Sequence, residues 1–395
     1  MAHKMNRKEW LKSAGTVMAG GLGFAALPIG LLNGRSKMNK PLRPITSPRR
    51  FISDEEFGRQ MMPPEIKARL FANENPFGPS EKAKQAIRDS IDGSYRYAMR
   101  EIGMLSGKIA EYEQLPSENL MFAAGSSPLL LAASLHFSQL GNIVTGEPSY
   151  ADLPESAESF GAEVRWIPVN DEYKLDLQAM EAAVDENTSL IYICNPNNPT
   201  GTSLEAGELE SFCKRVSEKT PVFIDEAYID YLDEPDKNSM IHLVKEGYNV
   251  MIARTFSKLY GFAGLRVGYL VASEEMIETL APYTPGPFSI SATSLAAAAA
   301  TYMDEEYMSD AKAKSAASKD FLLQTLKQEG YSPIPSDTNF VLFPIHMDGE
   351  RFIMEMRKRG VGIRSWAFEG KTWCRVSIGK MEEMAFFADA FTQIS

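Results

Sequence analysis

The sequence predicts an α/β protein with a large, mostly parallel sheet followed by a smaller α+β domain, and three observations carry that expectation. Short, nearly continuous apolar runs recur between stretches of helical periodicity, the pattern of strands covered on both faces. The runs in the middle of the chain end in polar, turn-forming residues, as strands do beneath a ligand site. A length of 395 residues with 44% hydrophobic and 24% charged side chains suits two globular domains.

The chain opens with a segment unlike the rest. Its first forty residues carry seven basic side chains against Glu9 alone, a net +6 that leaves −17 for the remainder of a chain whose total is −11. Asn6-Arg7-Lys8-Glu9-Trp10-Leu11-Lys12 precedes an uncharged, glycine-containing stretch from Ser13 to Asn33, the layout of an export signal. It is similar to a twin-arginine signal in which Lys8 replaces the second arginine. Residues 1–35 are therefore expected to direct the protein to the periplasm or otherwise out of the cytoplasm, and to be its only contact with a membrane. Without a working signal the location would be cytoplasmic.

Residues 36–65 form a linker and N-terminal arm, since Pro41, Pro44 and Pro48 preclude a regular helix. A large domain is expected over 66–290, with strands at Ile143–Thr145, Val164–Ile167, Leu190–Cys194, Val222–Ile224, Val250–Ala253 and Val267–Val271. The alanine-rich run Ser291–Tyr302 looks like a helix leading away from this sheet. A small domain over 291–395 then returns to strands at Thr338–Phe343 and Trp373–Ile378.

Charge and composition exclude some functions. A net charge of −11 argues against a nucleic-acid surface, which needs basic groups to displace counterions. Cys194, Cys213 and Cys374 form no CxxC pair, and His3, His136, His242 and His346 show no metal-ligand spacing, so no metal is expected. His136 lies in an apolar helical run and reads as a packed core residue. Small molecules are the better class of partner.

The polar residues after the strands carry the chemistry. Asn195-Pro196-Asn197-Asn198-Pro199-Thr200-Gly201 follows one strand and Asp225-Glu226-Ala227-Tyr228 the next; Arg254-Thr255-Phe256-Ser257-Lys258 and Gly261 to Gly268 follow a third. Singly, each has an ordinary structural explanation as a turn, a helix cap or a surface group. Together they supply a carboxylate, a phenol, an amide, a lysine flanked by hydroxyls and an arginine eight residues beyond it. Those groups suit an aldehyde cofactor bearing a pyridine nitrogen, a phenolic oxygen and a phosphate.

In these motifs the chain resembles the fold-type I, pyridoxal-phosphate-dependent aminotransferases of class I/II, and among them the histidinol-phosphate aminotransferase subfamily. Ala72-Asn73-Glu74-Asn75-Pro76-Phe77-Gly78-Pro79-Ser80 and Arg375-Val376-Ser377-Ile378-Gly379 extend the match from about Phe71 to Ile378. The resemblance implies pyridoxal 5'-phosphate as cofactor, held by Lys258 as a Schiff base. It also implies that Asp225 pairs with the pyridine nitrogen and that Asn198 and Tyr228 donate to the phenolic oxygen. Tyr150 in Glu147-Pro148-Ser149-Tyr150 would stack on the ring. Thr255, Ser257 and Arg266 would hold the phosphate, with Ser126 and Ser127 at a helix start that favours an anion. Tyr97 would reach the phosphate in a partner subunit, making a homodimer with shared active sites. Asn75 and Arg375 would bind substrate, the arginine gripping a carboxylate or phosphate.

The implied reaction moves an amino group from an amino acid or amine to a 2-oxo acid. Two departures bear on the substrate: Gly125-Ser126-Ser127-Pro128 stands where the subfamily has Gly-Ser-Asp-Glu, and Ala98-Met99 where it has Pro-Asp. These, with the expected export, point away from histidinol phosphate itself. A decarboxylase, lyase or oxidase acting on an amino acid is the alternative at sequence level, because the cofactor alone does not decide which Cα bond breaks.

Overall fold

The computed structural model describes residues 65–394. The expected export signal at 1–35, and the linker and arm up to residue 64, lie outside the described residues. A seven-stranded sheet forms from β2 (Leu120–Ala123), β3 (Asn142–Glu147), β4 (Val164–Pro168), β5 (Thr188–Cys194), β6 (Val222–Asp225), β7 (Val250–Thr255) and β8 (Gly268–Val271), in the order β2-β8-β7-β6-β5-β3-β4. Strands β4, β3, β5, β6 and β7 run parallel, while β8 is antiparallel to both neighbours. Six of these strands lie where the apolar runs place them. β2 was not anticipated: its four residues, all buried, are too few for a periodic signal.

Period-two alternation explains how the sheet acquires two cores. On β5 Leu190, Tyr192 and Cys194 pack to one side with Phe223 of β6 and Met251 and Ala253 of β7. Ile191, Ile193, Val222, Ile224, Val250 and Ile252 pack to the other. Both sets are apolar because helices cover both faces, so these strands show no polar alternation. His136, packed against Phe137 and Tyr283, has its pKa lowered by burial, consistent with a packed side chain.

β9 (Phe340–Ile345), β11 (Arg364–Phe368) and β12 (Lys371–Ser377) make an antiparallel sheet in the order β11-β12-β9; β1 (Ala68–Arg69) pairs with β10 (Val361–Gly362) alongside. Val341, Phe343, Ile345, Cys374 and Val376 face a core closed by the helices Gly349–Lys358 and Met381–Phe391. Ala68 and Leu70 join that core, although they stand at the opposite end of the described chain. The alternate residues Phe340, Leu342, Trp373, Arg375 and Ser377 face the other way. Phe340 meets the Tyr228 ring edge-on at 5.2 Å, and Trp373 meets Tyr173 at 5.2 Å.

The alanine-rich segment corrects one expectation. It forms the helix Ala292–Thr301, capped by the Ser291 hydroxyl, but does not lead away from the large sheet. Ala297, Ala298 and Ala299 lie in the large-sheet core, where the short side chains let the helix sit against the helices Glu81–Ser90 and Met99–Glu113. The crossing is made by the next helix, Glu305–Gln328, with Met308 and Ala311 in one core and Leu322 and Leu326 in the other.

Candidate active site

Parallel register aligns the carboxyl ends of β5, β6 and β7, pairing Cys194 with Asp225 and Asp225 with Ala253. Asp225 is 1% exposed, and its two bonds are to neutral donors: Oδ1 accepts the Ala227 N–H at 3.1 Å and Oδ2 the Tyr192 hydroxyl at 3.4 Å. Burial pushes its carboxyl up to about 7, against the pull of the Ala227 bond and the Lys258 charge. A carboxylate this deep is completed by a cationic partner.

Lys258 sits in the turn after β7, its Nζ 5.2 Å from the centre of the Tyr228 ring. The Tyr228 oxygen accepts the side-chain amides of Asn73 at 2.9 Å and Asn198 at 3.4 Å. With two donors on that oxygen, the phenol hydrogen is left to donate outward. Asn198 Oδ1 accepts from Arg375 at 2.5 Å, and a second guanidinium nitrogen donates to the Phe71 carbonyl at 2.8 Å. The Arg375 Nε is buried and has no acceptor. The guanidinium lies 4.6 Å from the Trp366 ring centre, and burial lowers its pKa to about 10.

A second cluster forms at the start of the helix Ser127–Phe137. Arg266, with φ of +58°, donates to Ser257 Oγ at 3.1 Å and to the Ala263 carbonyl at 3.1 Å; Ser257 in turn accepts from Thr255 Oγ1 at 2.9 Å. A Cβ on Gly125 would stand 2.2 Å from an Arg266 nitrogen, and one on Gly268 would stand 2.6 Å from the Gly125 carbonyl carbon. Two glycines thus let a guanidinium and a strand approach a helix end whose first amides are free for an anion. Pro128 stands in the first turn, where its missing N–H is harmless.

The other expected site residues are placed as follows. Tyr150 donates to Asp152 Oδ2 at 2.8 Å, and Ser127 Oγ approaches the same oxygen at 3.4 Å. Asn75 gives its amide hydrogens to the Leu259 carbonyl at 2.6 Å and the Tyr307 hydroxyl at 3.0 Å, so it braces the turn beside Lys258. Tyr97 stands apart, 80% exposed and edge-on to Phe288. Sequence reasoning passed over Asn73, Tyr192 and Asp152. Asn73 lies in the same motif as Asn75, but only its φ of +53°, tolerable for asparagine, reveals which amide turns inward.

The anion-ready helix end after β2, the buried acid at the end of β6 and the lysine in the turn after β7 lie on one set of strand termini, which fits pyridoxal phosphate at its phosphate, pyridine and aldehyde ends. Fold and site define a pyridoxal-phosphate-dependent enzyme of fold type I. The profile of the class I and II aminotransferases matches residues 65–391, and the chain belongs to that family. It is 33% identical over 335 residues to a histidinol-phosphate aminotransferase of Halalkalibacterium halodurans, covering 83% of this chain and 90% of that one. A Bacillus pumilus protein of the same name is 35% identical over 319 residues, covering 80% and 87%. The histidinol-phosphate aminotransferase of Sinorhizobium meliloti, solved with pyridoxal-5'-phosphate, superposes with a TM-score of 0.81 at 27% identity, over 92% of this chain and all of that one. The protein is a pyridoxal-phosphate-dependent aminotransferase, similar to the histidinol-phosphate branch. Among the described residues no helix is long and apolar enough to cross a membrane.

Proposed function

We propose that the enzyme transfers the amino group of an anionic amino acid or amine to a 2-oxo acid, with Lys258 moving the proton and Arg375 gripping the anion. The observation that carries this reading is the Arg375 Nε, a donor in a 3%-exposed side chain with no acceptor. Leaving such a donor unsatisfied costs about 1–3 kcal/mol, which a substrate oxygen removes. Arg364, directly opposite Arg375 across β11 and β12 and exposed, offers a second positive charge for a dianionic group. The departures at Ser127-Pro128 and Ala98-Met99 favour an amino donor other than histidinol phosphate.

In this reading Asp225 would hold a proton on the pyridine nitrogen, and the Tyr228 hydroxyl and Asn198 amide would donate to the phenolic oxygen. Thr255, Ser257, Arg266 and the backbone amides of Ser126 and Ser127 would hold the phosphate. When bound, the cofactor supplies an electron sink that stabilises negative charge at the substrate Cα. Lys258 Nζ would take the proton from the substrate Cα as a general base and give it up again as the conjugate acid. Asn75 contributes by bracing the Lys258 turn.

The exposed Tyr95, Tyr97 and Phe288 support a homodimer in which Tyr97 completes the neighbouring site. The division into a large and a small domain belongs to the same reading, with the expected bounds of 66–290 and 291–395 shifted: the helix Ala292–Thr301 goes with the large domain, Ala68 and Leu70 go with the small one, and the helix Glu305–Gln328 spans the two. Export is supported by the charge pattern of residues 1–35, which precede the family match beginning at residue 65. Full-length protein confined to the cytoplasm with residues 1–35 intact would overturn it.

Lys258→Ala is expected to lower turnover by at least ~10³-fold while the cofactor still binds noncovalently. Full activity in that variant would refute the role of Lys258. Amino compounds added singly to the holoenzyme, without oxo acid, identify the donor as the one that converts the cofactor's absorption band once and is reversed by an oxo acid. Release of carbon dioxide or ammonia without an acceptor would refute transfer as its reaction.

A further inference from the structure

Asp152 is a carboxylate beside the cofactor residues that the reaction scheme leaves unused. It is the first residue of the helix Asp152–Ser159, where a negative charge is favoured by the exposed amides of the first turn. Its Oδ2 accepts the Tyr150 hydroxyl at 2.8 Å, a charge-assisted bond, and the Ser127 hydroxyl at 3.4 Å. Ser127 opens the helix Ser127–Phe137, and Ser134 of that helix donates to the Leu153 carbonyl at 2.7 Å. One carboxylate oxygen thus ties together the start of the anion-binding helix, the start of its neighbour and the aromatic side chain between them. A Ser127 hydroxyl directed at Asp152 leaves that residue its backbone N–H for the phosphate.

We propose that Asp152 is a positioning residue for the cofactor: it anchors the phenol of Tyr150 so that the ring presents one fixed face to the pyridine, and its charge adds to the field that Asp225 experiences. This rests on the reading that Tyr150 stacks on the cofactor. The anchoring limb follows from geometry. A tyrosine ring held only by packing rocks about its Cα–Cβ axis, whereas a bond from its far end to a carboxylate seated on a helix start fixes both ends. Burial, with the Asp152 charge and bond added, holds the phenol well above its ordinary pKa, so it stays protonated and keeps donating over the working range of pH.

The charge limb follows from the surroundings of Asp225. Lys258, on the turn after β7, is the cation facing it. Tyr192 and Cys194 on β5 are neutral because burial raises both well above their ordinary values. Tyr150 stands before the helix Asp152–Ser159, and Tyr228 lies beyond β6. Asp152 is the other acid that acts on Asp225, raising its carboxyl. A negative charge at that place favours protonation of whatever lies beside Asp225, so it helps keep the pyridine nitrogen protonated.

The two limbs separate by substitution, with the holoenzyme's absorbance and cofactor-induced circular dichroism as readouts. Asp152→Asn keeps an acceptor for Tyr150 and removes the charge. It is expected to move the pH midpoint of the cofactor absorption band down by about half a unit, the scale of one partly screened charge, and to leave the induced dichroism near wild type. Asp152→Ala and Tyr150→Phe remove the anchor, and both are expected to reduce the induced dichroism and to weaken cofactor binding by roughly three- to tenfold, the worth of one hydrogen bond. Tyr150→Phe should leave the midpoint within about 0.2 unit of wild type, since it removes no charge. If Asp152→Asn and Asp152→Ala both keep the wild-type midpoint and dichroism while Tyr150→Ala changes the spectrum, Asp152 has no such role and the stacking reading stands. If Tyr150→Ala also leaves the spectrum unchanged, Tyr150 does not face the cofactor and the proposal falls with that reading.

Discussion

Replacing Asp225 with Asn in the cofactor-free protein removes a buried charge while keeping the shape of the side chain. An ordinary aspartate titrates near 3.9, whereas burial lifts Asp225 to about 7. Between those values the folded chain holds a proton that the unfolded chain has released, so stability falls as pH rises through the window. Below it both states are protonated and nothing is lost; above it both are ionised and the loss is constant. About three units at 1.36 kcal/mol each give about 4 kcal/mol, an upper figure because the folded site relaxes. Asn does not titrate. The gain of Asp225→Asn over wild type should therefore grow from near zero at pH 4 to about 4 kcal/mol at pH 8, measured by urea unfolding of the apoprotein with unchanged m-values. In the holoenzyme the order should reverse, because a pyridinium partner turns the buried carboxylate from a liability into half of an ion pair. A stability difference that is the same at pH 5 and pH 8 would refute the argument that burial governs this carboxyl.

Gly125→Ala should weaken cofactor affinity by tenfold or more, because the added Cβ would stand 2.2 Å from an Arg266 nitrogen at a φ of +85°, a strain of roughly 1–3 kcal/mol; equilibrium dialysis of the cofactor reads it. Arg375→Lys should raise KM for the anionic donor by about 10- to 100-fold with a smaller effect on kcat, since an ammonium on a thinner stem cannot satisfy Asn198, Phe71 and a substrate oxygen together. Steady-state kinetics with the identified donor check the split. Tyr97→Ala should leave the far-ultraviolet circular dichroism unchanged, because the side chain is 80% exposed in the single chain, while reducing cofactor affinity; an unchanged affinity would refute its reach into the partner subunit's site.

The large sheet was legible because its strands are buried on both faces, and buried strands must be written as continuous apolar runs. The residues at the ends of β5, β6 and β7 were legible for a related reason: polar groups directly after such runs have nowhere to go but a ligand site or a turn. Asn73 and Asn75 show where this stops. Two asparagines two residues apart are equivalent as letters, and only the backbone at Asn73 decides which amide meets Tyr228 and which braces Leu259. Asp152 carries no such signal because its partners Tyr150 and Ser127 stand 23 residues apart, one just before its own helix and the other at the start of another, and no periodicity links them. The helix Ala292–Thr301 misled because alanine reports helix propensity and says nothing of what the helix touches.

On β12, consecutive residues serve opposite sides of one ribbon: Cys374 and Val376 fill the C-terminal core, while Arg375 and Ser377 meet Asn198 and Asn73 on the other side. Slipping this strand by one position would drive an arginine into the core and withdraw it from Asn198 in the same step. A one-residue slip of β12 against β9 therefore costs core packing and the Arg375 contact together. Divergence around this arginine has to proceed by exchanging side chains at places such as Trp366, which lies against its guanidinium, with the spacing along the ribbon left intact.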